Sequence, residues 1–104
     1  MEIYRTEQYD KWFRKLKDIT AKAKIMVALR RIQTLGEIVG DIKSVGDGVH
    51  EMRFHIGPGY RIYYLVHGDR MMLLLLAGDK SSQLRDIAKA KQLAAEIRKD
   101  QSWQ

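Results

Sequence analysis

Arg53-Phe54-His55-Ile56-Gly57-Pro58-Gly59-Tyr60-Arg61-Ile62-Tyr63 is the stretch that decides the fold. Two alternating runs flank a Gly-Pro-Gly turn, the pattern of a β-hairpin with one buried face. With a three-residue loop, Ile56 pairs with Tyr60, Phe54 with Ile62 and Met52 with Tyr64, which is a core face. The other face then sets His55 against Arg61 and Arg53 against Tyr63. A change of one residue in loop length would move one strand's set to the other face. An exposed sheet surface of arginine, histidine and tyrosine suits a polyanion, RNA above all.

Outward from the hairpin, Met71 to Ala77 is continuously apolar, as expected of a central strand covered on both faces. His67-Gly68-Asp69-Arg70 makes the turn into it. Ser81 or Ser82 is placed to cap a last helix whose apolar stripe is Leu84, Ile87, Ala90, Ala94 and Ile97, with Lys89, Lys91, Arg98 and Lys99 solvated. Toward the N-terminus, residues 37–48 are rich in Gly, Asp and Ser and predict a loop. Before them, Ile3 to Arg5 forms a short strand. Thr6 caps a helix carrying Tyr9, Phe13 and Leu16, with Trp12 beside the stripe. Thr20 caps a second helix carrying Ile25, Leu29, Ile32 and Leu35, closed by Gly36. The order is β-α-α-β-β-β-α: an α+β domain with an N-terminal helical hairpin, a small and mostly antiparallel sheet, and a C-terminal helix.

The 104 residues fit one domain, 1–104, with room for a real core. A formal net charge of +6 favours an acidic partner, nucleic acid or an acidic protein. With no cysteine there is no disulfide and no thiolate chemistry, which suits a cytoplasmic chain. The first residues lack a signal-peptide core, and the longest apolar run is too short to cross a bilayer, so no membrane role is expected.

Chemistry is expected on the cationic face. Arg53 and Arg61 have the planar fork that grips phosphate in a bidentate way. Ordinary pairing, for instance of Arg53 with Glu51, is the competing role. Lys80 leaves a strand just before a helix and can reach the same face from the sheet's edge; Asp79 could pair with it. His55 offers an acid or base, and Tyr63 a ring on which a base could stack. His50, His55 and His67 lack metal-ligand spacing, and no metal or cofactor motif appears. Gly57-Pro58-Gly59 has no phosphate-loop context.

Three blocks together resemble the RelE/ParE toxin superfamily: Gly46-Asp47-Gly48-Val49-His50-Glu51-Met52-Arg53, then Gly57 to Tyr64, then Leu75-Leu76-Ala77-Gly78-Asp79-Lys80-Ser81-Ser82-Gln83 through Asp86-Ile87-Ala88-Lys89-Ala90. Within it they are most similar to the HigB-related addiction-module killer proteins and the phage-derived Gp49-like group. The resemblance implies a RelE-like fold and the toxin of a bacterial type II toxin–antitoxin module. It further implies a metal-independent, ribosome-dependent mRNA endoribonuclease in which a 2′-hydroxyl attacks the adjacent phosphate. Arg61 and Arg53 would stabilise the growing charge and Lys80 would add to it. Tyr63 or His55 would stack or move a proton. The implied partners are a helix-turn-helix antitoxin, the ribosome and mRNA, with operator DNA reached only through the antitoxin. In place of the family's C-terminal tyrosine, only Trp103 stands near the end. A ParE-like gyrase poison and a non-catalytic binding module are the competing readings.

Overall fold

Thr6 starts the architecture. In the computed structural model, which describes residues 1–100, its hydroxyl accepts from the Tyr9 amide at 3.1 Å and donates to the Leu75 carbonyl. The first contact caps helix α1 (Glu7–Lys15), which follows strand β1 (Glu2–Arg5); the second fixes it to strand β5 (Met71–Gly78). Helix α2 (Ile19–Leu35) is capped by Asp18, whose carboxylate accepts from the Ala21 amide at 3.0 Å, and not by Thr20. The other oxygen of Asp18 accepts from the Tyr60 hydroxyl at 3.2 Å, so the same residue docks the helix onto the hairpin. Gly36 closes α2.

Residues 37–48 are not all loop. Asp41–Gly46 forms strand β2, antiparallel to β3 (Val49–Phe54). Strand β4 (Tyr60–His67) pairs with β3 and β5, and β1 adds in parallel beyond β5, giving the order β1-β5-β4-β3-β2. A short 3₁₀ turn (Lys80–Ser82) leads into α3 (Gln83–Arg98). Its cap is Asp79, which accepts from the Ser81 amide and hydroxyl. Ser82 gives α3 no side-chain cap; its hydroxyl donates to Asp86 instead.

Helices cover both faces of the sheet. Tyr9 of α1 with Ile25 and Ile32 of α2 pack on Met52, Ile62, Tyr64, Met72 and Leu74. Ala90 and Ala94 of α3 pack on Val49, Tyr63, Leu65 and Leu75. Strict alternation along β4 sends Ile62 and Tyr64 one way and Tyr63 and Leu65 the other, and all four are buried. The hairpin is therefore covered on both faces, not half open. Two expected core leucines lie outside: Leu35 is 55% exposed and Leu84 86%. Lys91 and Arg98 are not simply solvated. Arg98 Nη1 donates to the Asp47 carbonyl at 2.7 Å and Lys91 Nζ lies 3.9 Å from the Asp47 carboxylate, so α3 holds the β2–β3 turn. No helix is long and apolar enough to cross a membrane among the described residues.

Candidate functional site

The hairpin loop runs over five residues, His55 to Gly59, closed by the Gly59 amide donating to the Ile56 carbonyl at 3.0 Å. Phe54, not Ile56, stands opposite Tyr60, and Met52 opposite Ile62. The shift from the expected register is two residues, an even number, so each side chain keeps its face. Its neighbours change: Arg53 stands opposite Arg61, and Glu51 opposite Tyr63.

That pairing extends into a row across four strands: Asp41 on β2, Arg53 on β3, Arg61 on β4 and Gly78 on β5. Directly opposed arginines would repel. Glu51, two residues before Arg53 on the same face and fully buried, offsets this. One of its oxygens accepts from Arg53 Nε at 2.9 Å. The other accepts from Gln83 Nε2 of α3 at 2.9 Å and lies 3.6 Å from Arg61 Nε. Arg61 is 8% exposed, and its Nη1 donates to the Gly59 carbonyl at 2.7 Å. Burial pushes the Glu51 carboxyl up, but the bonds from Arg53 and Gln83, the Tyr63 hydroxyl and the Arg53 charge outweigh it and leave it below its usual value. Glu51 is therefore an anion that aligns two guanidiniums, not a proton carrier.

The 3₁₀ turn brings Lys80 to the same place. Its amide donates to the Pro58 carbonyl at 3.3 Å. A Cβ on Gly59 would lie 3.0 Å from Arg61 Nη1 and 3.5 Å from Lys80 Cβ, so glycine lets the hairpin tip, Arg61 and Lys80 meet. Lys80 is exposed, and Asp79 bonds Ser81 in preference to it. Gly78 makes room in another way: the Asp86 carboxylate occupies the space over it, 2.0 Å from where a Cβ would stand.

The five expected site residues thus separate. Arg53 and Arg61 stand side by side, and Lys80 lies next to Arg61 across Gly59. His55 lies beyond the end of β3, exposed, and pairs with Asp41 at the end of the row instead of opposing Arg61. The His55 contact holds the Asp41 carboxyl below its usual value. Tyr63 offers no ring for stacking. It is fully buried between β4 and α3, and its hydroxyl faces Glu51 without a well-formed hydrogen bond. Burial first, then the Glu51 charge, pushes that hydroxyl up. Trp103 lies outside the described residues. Sequence reading missed Glu51 as the centre and Gln83 altogether; the Glu51-Arg53 spacing of two was the available signal. Among the described residues, no group of three His, Asp or Glu side chains converges to hold a metal ion.

The chain is 45% identical over 97 residues to an uncharacterized protein of Haemophilus influenzae, spanning 93% of this chain and 96% of that one. Its fold matches a mutant of the Escherichia coli toxin RelE in the free state with a TM-score of 0.64 at 15% identity, covering 86% of this chain and 92% of RelE. It matches the RelB–RelE antitoxin–toxin complex of Methanococcus jannaschii at 0.63 and 16% identity, covering 80% and 96%. The intact E. coli RelBE complex gives 0.58 at 18%, covering 75% and 94%. Residues 11–99 match the family described as phage derived protein Gp49-like (DUF891). On that match, with a sheet and helices arranged as in RelE, the chain belongs to the phage-derived Gp49-like family and has the RelE toxin fold.

Proposed function

We propose that this protein is the toxin of a bacterial toxin–antitoxin module and that it cleaves mRNA on the ribosome without a metal. The observation that carries the reading is the Arg53–Arg61 pair, set side by side by cross-strand register, oriented by Glu51 and joined by Lys80, on a RelE fold. RNA cleavage by its own 2′-hydroxyl needs little more than this. The 2′-oxygen attacks the adjacent phosphorus, the bond to the 5′-oxygen breaks, and a cyclic phosphate and a 5′-hydroxyl result. Negative charge grows on the phosphorane oxygens, where preorganised cationic donors lower the barrier most. Arg53, the more accessible arginine, and Lys80 meet the phosphate; Arg61 supports them from below. His55, oriented by Asp41 at the rim of the row, moves the proton from the 2′-hydroxyl to the 5′-oxygen. In the matched complexes RelE-type chains are bound to RelB. We take an antitoxin, of the helix-turn-helix kind, as the partner here.

Primer extension on mRNA after brief expression tests this, comparing wild type with Arg53→Ala, Lys80→Ala and Arg61→Lys. Discrete cuts in translated regions that fade in Arg53→Ala and Lys80→Ala, with the fold intact by circular dichroism, are expected. Intact mRNA in growth-arrested cells would remove the nuclease reading and turn attention to gyrase or a non-catalytic target.

A further inference from the structure

We infer that the outer side of α2 is a docking groove for an acidic amphipathic helix of a second protein. α2 is apolar beyond what its core stripe needs. Val27 is 62% exposed, and Leu35, Met26 and Ile19 are also open to solvent. Two adjoining depressions, of about 360 and 490 Å³, share Val27 and Arg31. Together they run from Phe54 and Ala23 past Val27 to Thr34 and Leu35. Residues 23 to 35 span roughly 18 Å of helix, about the length of a three-turn helical ligand.

Charge selects the occupant. From Ile19 to Leu35 the helix holds Lys22, Lys24, Arg30 and Arg31 and no acidic residue. Lys24, Arg30 and Arg31 border the groove, and none forms an ion pair among the described residues. An apolar floor with cationic walls fits a helix that is apolar on one side and acidic on its flanks. A second copy of this chain would set lysine and arginine against their own kind. A nucleic acid would satisfy the walls but leave Val27 and Leu35 without apolar partners. The proposal rests on the toxin reading only for the source of the helix, an antitoxin; peptide binding and mRNA cleavage are read separately, so either fails without the other.

The test uses the full-length protein and a fluorescein-labelled designed helix with leucines along one side and glutamates on the flanks. The control peptide has each glutamate changed to lysine. Fluorescence anisotropy is expected to show the glutamate peptide binding at least about tenfold more tightly than the control, with affinity falling as salt rises. Val27→Glu and Arg31→Glu, both at solvent-facing positions, are each expected to weaken it by about tenfold. Equal binding of both peptides, no binding, or unchanged binding by the two variants would overturn the proposal. So would a dimer in sedimentation that Val27→Glu dissolves, which would give the groove to a second copy.

Discussion

Arg53 and Arg61 stand directly opposite each other on β3 and β4, and each turns its Nε toward the one carboxylate of Glu51, at 2.9 and 3.6 Å. Two like charges at a cross-strand pair are tolerable because the intervening anion is buried and fixed by Gln83.

Removing that anion should therefore cost more than removing either cation. Glu51→Gln keeps the shape but leaves Arg61 uncompensated out of water. We expect a loss of about 2–3 kcal/mol in urea denaturation, under the range for a fully buried pair because the Arg53 side chain is 26% exposed. A variant as stable as wild type would show that the carboxylate charge does not hold the pair.

The same carboxylate sets an acid limit. Its folded value lies below the 4.5 of the unfolded chain. The stability it contributes is thus complete above 4.5 and is lost as pH falls through the folded value. The difference in melting temperature between wild type and Glu51→Gln should stay level from neutral pH down to 4.5 and shrink below it. A difference that grew on acidification would reverse the assignment.

Tyr63→Phe should be nearly silent. It deletes a buried hydroxyl with no well-formed bond, so stability should change by less than about 1 kcal/mol, and the mRNA cleavage proposed above should be unaffected. Loss of cleavage with stability unchanged would restore a chemical role to this tyrosine.

Gly78→Ala should be felt at α3. The new Cβ would stand 2.0 Å from the Asp86 carboxylate and 2.8 Å from the Ser82 hydroxyl. About 1–3 kcal/mol of destabilisation is expected. Adding Asp86→Ala should recover part of it, a coupling that a double-mutant cycle measures directly. Independent, additive losses would mean that the clash is relieved elsewhere.

Thr6→Val removes the cap of α1 and its link to β5 while keeping the side chain's size. Thermal unfolding should report a loss of about 1–2 kcal/mol. An unchanged midpoint would show that packing of Tyr9 alone fixes the helix.

The fold was legible where periodicity was clean. Alternation through Met52, Phe54, Ile62 and Tyr64 assigned the faces correctly even with the wrong register, because the error was an even number of residues. β2 was hidden because its two apolar residues, Ile42 and Val45, sit among Asp41, Ser44 and flanking glycines, as an edge strand permits. Leu84 was misplaced because helical spacing gives a side of the helix but not whether anything packs on it at that turn. Arg53, Arg61 and Lys80 were legible as a group, since strand parity and the approach to α3 both point to one place. Their neutralising partner was harder to see. A Glu two residues before an Arg reads as an ordinary surface pair until α3, with Gln83, covers it. The burial of Tyr63 has the same origin: alternation gives a face, but not what lies on it.

The bond from Thr6 to Leu75 and the parallel pairing of β1 with β5 join the two ends of most of the chain. On a translating ribosome, the first strand must wait for β5 to emerge before it has a partner, and Glu51 must wait for Gln83, which lies later in the chain than β5. Such long-range closure is slow relative to local helix formation. The arginine pair consequently reaches its folded arrangement only near the end of synthesis, so the activity proposed for it would be withheld from the ribosome that is making the chain.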